Sequence, residues 1–413
     1  LLLPLHNFKR YFIFALTGLL CCIWSLADAQ FFTLDGGRTQ TIPFQLVRNL
    51  VVIKVKINNK GPYNFILDTG VGFMVITDPL LVDSINIITK RTVKITGLGE
   101  GKPYEAYVTP PLKVDIDGLV SHNISAVAFK EDSFGLSNYT GLAIHGLLGH
   151  DFFNNLAVKI SFTDSIILVA DPKKMRFYKR GIKIPITIED KKPHFTTRVV
   201  FADGTESQKK LIIDLGAGHF LSLENIDNKN DLQKISIPAN LGMSLNGLIK
   251  GTLSRIKEID IGKYRMKNVI TSFPDYDNLL KMLSANRDGN LGMAMLKKFD
   301  IIFNYPDRVM YLKPGLTFKK KDEHDMSGLI YLADVRDDLQ HIIIHQVEPG
   351  TAGEEAGLLP QDEIVAINFK PVYPLSMQQI DNLFRSAHDR TLVLGIFRNG
   401  KYINVMLTLK RRI

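Results

Sequence analysis

Two stretches of the 413-residue chain, Phe65-Ile-Leu-Asp-Thr-Gly-Val-Gly72 and Leu211-Ile-Ile-Asp-Leu-Gly-Ala-Gly218, share one pattern of apolar run, aspartate, spacer, glycine, spacer and glycine. The surroundings recur as well. After Asp68 come Gly97-Leu-Gly-Glu-Gly101, Gly146-Leu-Leu-Gly149, Asp151-Phe-Phe153 and the strand-like Ala157-Val-Lys-Ile-Ser-Phe162. After Asp214 the order repeats with Gly247-Leu-Ile-Lys-Gly251, Gly289-Asn-Leu-Gly292, Leu296 and Phe299-Asp-Ile-Ile-Phe303. A unit this long, present twice, reads as a duplicated lobe and not as a stacked array. The chain must therefore fold as two related β-rich halves.

Each half places an aspartate on a glycine-containing loop fed by a strand. Two carboxylates on matching loops can meet across a pseudo-twofold axis, share one proton and activate a water between them. Peptide hydrolysis needs both a nucleophilic water and a proton donor, and such a pair supplies both. The protons belong to the pair, so sequence leaves open which aspartate is base and which is acid. Glycines after each aspartate suit a loop in which two backbones approach closely.

On these motifs residues 42 to 315 resemble the bacterial retropepsin-like members of the pepsin and retropepsin superfamily, with two lobes in one polypeptide. The resemblance implies a mainly β fold of two pseudo-symmetric aspartic-protease lobes, with Asp68 and Asp214 catalytic. It implies Thr69, Gly70 and Gly216 as loop support. The flap candidates are Gly97, Leu98 and Gly99 in the first lobe and Gly247 and Leu248 in the second. Leu147-Leu-Gly149 and Asn290-Leu-Gly292 would pack beneath the aspartate loops. Leu215 departs from the family, which has Thr or Ser there to bond across to the opposite loop. Only Thr69 is left to make that bond, so a one-sided grip is expected. The implied activity is an exported aspartic endopeptidase. The alternative is a non-catalytic peptide-binding scaffold, a decayed protease in which Leu215 spoils the site. A third arrangement pairs the Asp68 loops of two chains.

Other chemistries lack their motifs. His145, His150, His194 and His219 lie near the loops without an HExxH or comparable metal spacing. No GxSxG, Cys–His pairing or GxxxxGK(S/T) occurs. No cofactor and no metal are expected. The net charge of +9 comes from short Lys/Arg clusters without aromatic interleaving, which reads as solvated faces and predicts no nucleic-acid partner.

Lys9-Arg10 precede the apolar run Tyr11 to Trp24, and Ala27-Asp-Ala29 offers a small-residue cleavage site. That pattern predicts a secretory signal peptide over residues 1–29, a periplasmic or secreted bacterial location, and no stable membrane insertion after cleavage. Both cysteines, Cys21 and Cys22, fall inside it, so a mature chain from Gln30 would rely on its core and not on disulfides.

The first lobe is expected over residues 30–180 and the second over 181–316. Apolar Val47 to Ile57 and the turn cluster Asn58-Asn-Lys-Gly-Pro62 predict a hairpin that delivers Asp68, and Ala202-Asp-Gly204 predicts its counterpart before Asp214. Short helices are expected near Asp151–Asn155, Tyr276–Ala285 and Ala294–Lys298. Charged residues 317–326 read as a linker. Beyond it Ser327-Gly-Leu-Ile-Tyr-Leu332, His341 to Gly350 and Ala356-Gly-Leu-Leu-Pro-Gln-Asp-Glu-Ile-Val-Ala-Ile-Asn368 resemble a PDZ domain, an α+β unit over 327–413, with Gln361 and Phe369 standing where glycine is common. The resemblance implies a groove that takes a peptide C-terminus or extended strand, with the amides of Ser327, Gly328 and Leu329 around its carboxylate. Ser376 to Ser386, with Ile380, Leu383 and Phe384 at helical spacing, would wall that groove, mostly as core. Peptide or unfolded protein in the cleft is the expected substrate.

Overall fold

Alternating apolar residues set the first hairpin. Leu50–Ile57 pairs antiparallel with Lys60–Leu67, and Asn58 and Asn59 connect them at φ 50° and 64°. Two successive left-handed residues match the right-handed twist of the strands, and asparagine tolerates that backbone. The hairpin ends at Asp68. In the second half Lys192–Val200 pairs with Glu206–Asp214 across a turn in which Gly204 takes φ 94°, and this hairpin ends at Asp214.

The computed structural model describes residues 32–34, 39–87, 91–95, 104–132, 134–224, 236–244, 247–275, 287–336 and 339–413. Among them the strands fall into four sheets, and the fold is mainly β, with two barrel-like lobes followed by a C-terminal unit built on its own sheet. A short apolar strand lies parallel to the aspartate-bearing strand in each lobe: Gly146–Leu148 beside Lys60–Leu67, and Gly289–Gly292 beside Glu206–Asp214. These are the repeated Gly146-Leu-Leu-Gly149 and Gly289-Asn-Leu-Gly292 segments, and they close the sheet under each loop.

The lobes share one six-stranded sheet in the order Gln40–Pro43, Ile166–Ala170, Ala157–Ser161, Phe299–Asn304, Val309–Pro314, Ile182–Pro185. Its centre joins the two repeats, Ala157 opposite Asn304 and Ile160 opposite Ile301. One continuous apolar core runs through both lobes and includes Leu67, Phe153, Ile213, Leu215 and Phe303. Burial of that size fixes the two loops relative to each other.

Several elements differ from the sequence expectation. The apolar stretch Val47 to Ile57 is broken by Arg48 and Asn49 at φ 48° and 62°, which turn the chain between Gln45–Val47 and Leu50–Ile57. The helices expected near residues 151–155 and 294–298 are single turns, His150–Phe153 and Met293–Leu296. The helix expected over Tyr276–Ala285 lies outside the described residues, as do the first thirty-one. The stretch expected as a linker is tied down: Lys298 Nζ lies 2.6 Å from Asp322 Oδ1, and Arg255 Nη2 donates to the Asp322 carbonyl at 3.1 Å. Among the described residues no helix is long and apolar enough to cross a membrane.

The C-terminal unit has its own core, from Met326 and Leu329 to Leu407 and Leu409. Its helix Met377–Phe384 begins at Ser376 with a capping box to Gln379, two orphan N-terminal groups satisfied reciprocally. Ile380 and Phe384 are fully buried, while Leu383 packs at the edge of the cluster.

Candidate active site

The two aspartate loops meet. Asp68 is 9% exposed, and its Oδ1 accepts from the Gly70 amide at 2.7 Å. Asp214 Oδ1 accepts from the Gly216 amide at 2.9 Å. The same short loop therefore orients each carboxylate. A methyl group at Gly216 would sit 2.2 Å from Asp68 Cγ, and one at Gly70 would sit 2.9 Å from Asp214 Oδ1 and 3.0 Å from Asp68 Oδ1. Each carboxylate thus lies against the glycine of the opposite loop, in space that any side chain would fill.

The pair is electrostatically strained in the way a shared proton relieves. Burial, then the charge of Asp214, pushes the Asp68 carboxyl up to about 8, against the pull of the Gly70 amide and Lys192. Two adjacent carboxylates out of water cannot both ionise cheaply, so one proton stays on the pair into the neutral range.

Thr69 holds the loops in register. Its hydroxyl is fully buried, donates to the Ile213 carbonyl at 2.6 Å and accepts from the Leu215 amide at 2.9 Å. One residue therefore uses both donor and acceptor on the opposite loop. Leu215, the departure from the repeat, is 0% exposed and joins the main core. Its side chain gives packing where a hydroxyl would have given the second half of the grip. Thr69→Val is expected to leave the Ile213 carbonyl and Leu215 amide unpaired at a cost of roughly 2–4 kcal/mol. Chemical denaturation of wild type, Thr69→Ser and Thr69→Val measures it, with Ser close to wild type; equal stability of Val and wild type would remove the grip from the account.

Beneath the loops the repeated glycines are required by contact. A side chain on Gly149 would begin 2.1 Å from the Val71 carbonyl, and one on Gly292 would begin 2.3 Å from that of His219. Between these matching positions the copies diverge: Leu147 in the first lobe becomes Asn290 in the second. Asn290 Nδ2 donates to Asp214 Oδ2 at 3.0 Å. Nothing equivalent reaches Asp68 from Leu147, so the dyad is asymmetric. Comparing the two copies position by position would have found this residue. Next to it burial holds the His219 imidazole below its usual range, against the charge of Asp214, and its Nε2 has no hydrogen-bond partner among the described residues. Tyr305, stacked on Phe153 at 5.3 Å, is pushed well above the usual phenol range by burial and then by the charges of Asp68 and Asp214.

Of the flap candidates, Gly97, Leu98 and Gly99 lie outside the described residues. Gly247 and Leu248 open the strand Gly247–Ile261, paired with Ile237–Ser244 so that Ser244 faces Gly247 near the end of a long hairpin. Leu241 and Ile249 from its arms line a cavity of about 60 Å³ together with His219, Ser222, Glu224 and Asn290. The hairpin therefore overhangs the Asp214 side. Ser327, Gly328 and Leu329 belong to the C-terminal unit, at the start of its strand Leu329–Arg336. There the Ser327 and Gly328 amides donate to Asp325 Oδ1 at 2.9 and 3.0 Å, and the Leu329 amide donates to Ser327 Oγ at 3.1 Å. Among the described residues no group of three or more His, Cys, Asp or Glu is placed to hold a metal ion.

An aspartyl protease family model matches residues 53–152, the span that contains Asp68, Thr69 and the Gly146–Gly149 segment. A PDZ domain model matches residues 343–398. A search of curated proteins finds no match.

Proposed function

With an aspartyl protease domain over residues 53–152 and a PDZ domain over 343–398 as premise, we propose that the chain is an aspartic endopeptidase whose dyad is Asp68 and Asp214, one from each lobe. The observation that carries this reading is the meeting of the two loops: each carboxylate rests against the other loop's glycine, and Thr69 bridges them. The donor geometry assigns the shared proton to Asp68, which faces one N–H, from Gly70, where Asp214 faces two. Asp214, facing two N–H donors from Gly216 and Asn290, carries the negative charge. A water between them loses a proton to Asp214 as it attacks the scissile carbonyl, while Asp68 donates to the carbonyl oxygen. Transfer of a proton to the leaving nitrogen then breaks the tetrahedral intermediate. The long hairpin covers an extended peptide and excludes bulk water.

The scaffold alternative rests on Leu215, and the bridging hydroxyl of Thr69 supports the protease reading over it, since that hydroxyl reaches both a carbonyl and an amide of the opposite loop. The segment 1–29 supports export, so we place the enzyme in the periplasm or outside the cell. The reading is tested by cleavage of a denatured protein across a pH series, wild type beside Asp68→Asn and Asp214→Asn. A variant that cuts as wild type does would overturn it.

Asn290 is a positioning residue in this scheme. Asn290→Leu, which restores the first-lobe residue, is expected to lower kcat about tenfold with little change in KM, as the loss of one hydrogen bond to a charged group suggests. The acidic limb of the pH profile should move to higher pH, because the negative charge loses a donor. An unmoved profile would limit Asn290 to packing.

A further inference from the structure

The groove of the PDZ domain should lie between its edge strand Leu329–Arg336 and the helix Met377–Phe384. Among the described strands it pairs on one side only, with Leu339–Val347, which leaves the edge on which an added peptide strand would build. The space is taken by the chain itself. Arg48, from the turn that broke the expected strand, enters it with its guanidinium fork on Asp381 of the helix: Nη2 to Oδ1 at 2.9 Å, and Nε to Oδ1 and Oδ2 at 3.2 Å each. Its Nη1 donates to the carbonyls of Tyr139 at 3.0 Å and Tyr331 at 3.3 Å. The guanidinium lies 4.4 Å from the Tyr139 ring centre and 4.7 Å from that of Tyr331, and the Arg48 and Asp381 side chains are each 8% exposed. Tyr331 completes the closure, its ring on Phe384 and its hydroxyl donating to Asp381. The amide cradle is taken as well, by Asp325 and the Ser327 hydroxyl.

The same turn reaches the catalytic loop. Asn49 N donates to Gln378 Oε1 of the PDZ helix at 3.1 Å, while Asn49 Nδ2 donates to the Gly218 carbonyl at 2.9 Å. Asn49 Oδ1 in turn accepts from Lys297 Nζ at 2.6 Å. Gly218 stands four residues after Asp214. A second contact reaches the hairpin over the cleft: Glu348 Oε1 accepts from the Asn240 amide at 3.4 Å, and Arg412 Nη2 donates to the Pro238 carbonyl at 3.2 Å.

We infer that the partner of this PDZ groove is the Arg48–Asn49 turn of the chain's own first lobe, and that the domain serves as a brace on the Asp214 loop instead of a port for peptide C-termini. The groove walls suit a cation: they give Arg48 the buried Asp381 carboxylate and the ring and carbonyl of Tyr331, the first lobe adds the ring and carbonyl of Tyr139, and a peptide carboxylate would meet Asp325 in the cradle. The inference uses the protease reading only for the meaning of the loop, and its contacts stand apart from activity.

Hydrogen–deuterium exchange on the full chain tests it without an activity readout. Arg48→Ala should speed amide exchange about tenfold or more both along the groove walls, residues 329–334 and 377–384, and in the loop 215–221, as local opening requires. Asn49→Ala should speed the loop while leaving the groove walls near wild type. Where Arg48→Ala exchanges throughout the chain as an unfolded protein, Arg48→Lys, which keeps the charge and loses the fork, is read by the same criterion. Wild-type exchange at the groove walls in the Arg48 variants would overturn the occupancy, and an unchanged loop would overturn the brace. A library of fluorescent hexapeptides with free C-termini supplies the other arm: no saturable binding to wild type is expected, and micromolar binding that Arg48→Ala does not improve would show an open groove. Loss of proteolysis in any variant bears on neither result.

Discussion

Asp68→Asn and Asp214→Asn are each expected to lower kcat for hydrolysis of a denatured protein by about 10³-fold or more, and the double variant should be little worse than either. The members act as one unit: an amide in either place can neither take the proton of the water nor give one to the carbonyl oxygen. Both changes are nearly isosteric, so the glycine contacts at Gly70 and Gly216 tolerate them and the variants stay folded. The pH profile offers a separate readout. With the Asp68 carboxyl pushed up to about 8 by burial and Asp214, wild-type activity should fall as pH rises through that value, where the pair loses its acid. Stability should move in the same direction. The native dyad keeps a proton that the unfolded chain releases near pH 4, so folding binds protons and stability declines as pH rises from about 4 towards 8. Asp68→Asn, which cannot ionise, should escape part of that decline, and its melting temperature should gain on wild type with rising pH. A gap independent of pH would mean that the pair is not coupled.

Arg48→Ala is expected to destabilise the packing of the PDZ domain on the first lobe by about 3–5 kcal/mol, the cost typical of leaving one member of a buried ion pair without its partner. Little solvent screening applies at 8% exposure of both side chains, and the loss should persist in high salt. The double variant with Asp381→Asn should cost less than the sum of the single changes, because removing the second charge relieves the first. The acid dependence has a definite sign. Burial raises the Asp381 carboxyl, but Arg48, its hydrogen bonds and Arg385 more than offset this and hold it below the usual range. The contribution of the pair is therefore present above about pH 4 and lost as pH falls below it, so wild type and Arg48→Ala should converge in acid. Three packed units need not unfold in one step. The measurement is the position of the first transition in chemical unfolding, and additive losses in the double variant would separate Arg48 from Asp381.

The duplicated motif carried most of the fold. Apolar runs ending in Asp68 and Asp214, Asn58-Asn59 and Asp203-Gly204 at the turns, and the two segments Gly146–Gly149 and Gly289–Gly292 are local patterns with local causes, and period-two alternation read from them gives strands and hairpins directly. The dyad was legible for the same reason, since matching loops imply matching positions. Asn290 was legible in principle, as the place where one copy departs from the other.

Arg48 was not. In sequence it is one basic residue inside an apolar run, and nothing nearby distinguishes it from a solvated charge. Its partner Asp381 lies 333 positions away, on a helix whose pattern marks Ile380, Leu383 and Phe384 as its apolar face. Sequence by itself determined which strands form, which loops carry the aspartates and that two lobes are paired. The tertiary structure alone decided which groups Thr69 grips, the Ile213 carbonyl and the Leu215 amide, that Asn290 reaches Asp214, and that the PDZ groove closes on Arg48. Propensity and pattern act over a few residues, whereas hydrogen bonds and buried charges are satisfied by whatever the fold brings within 3 Å.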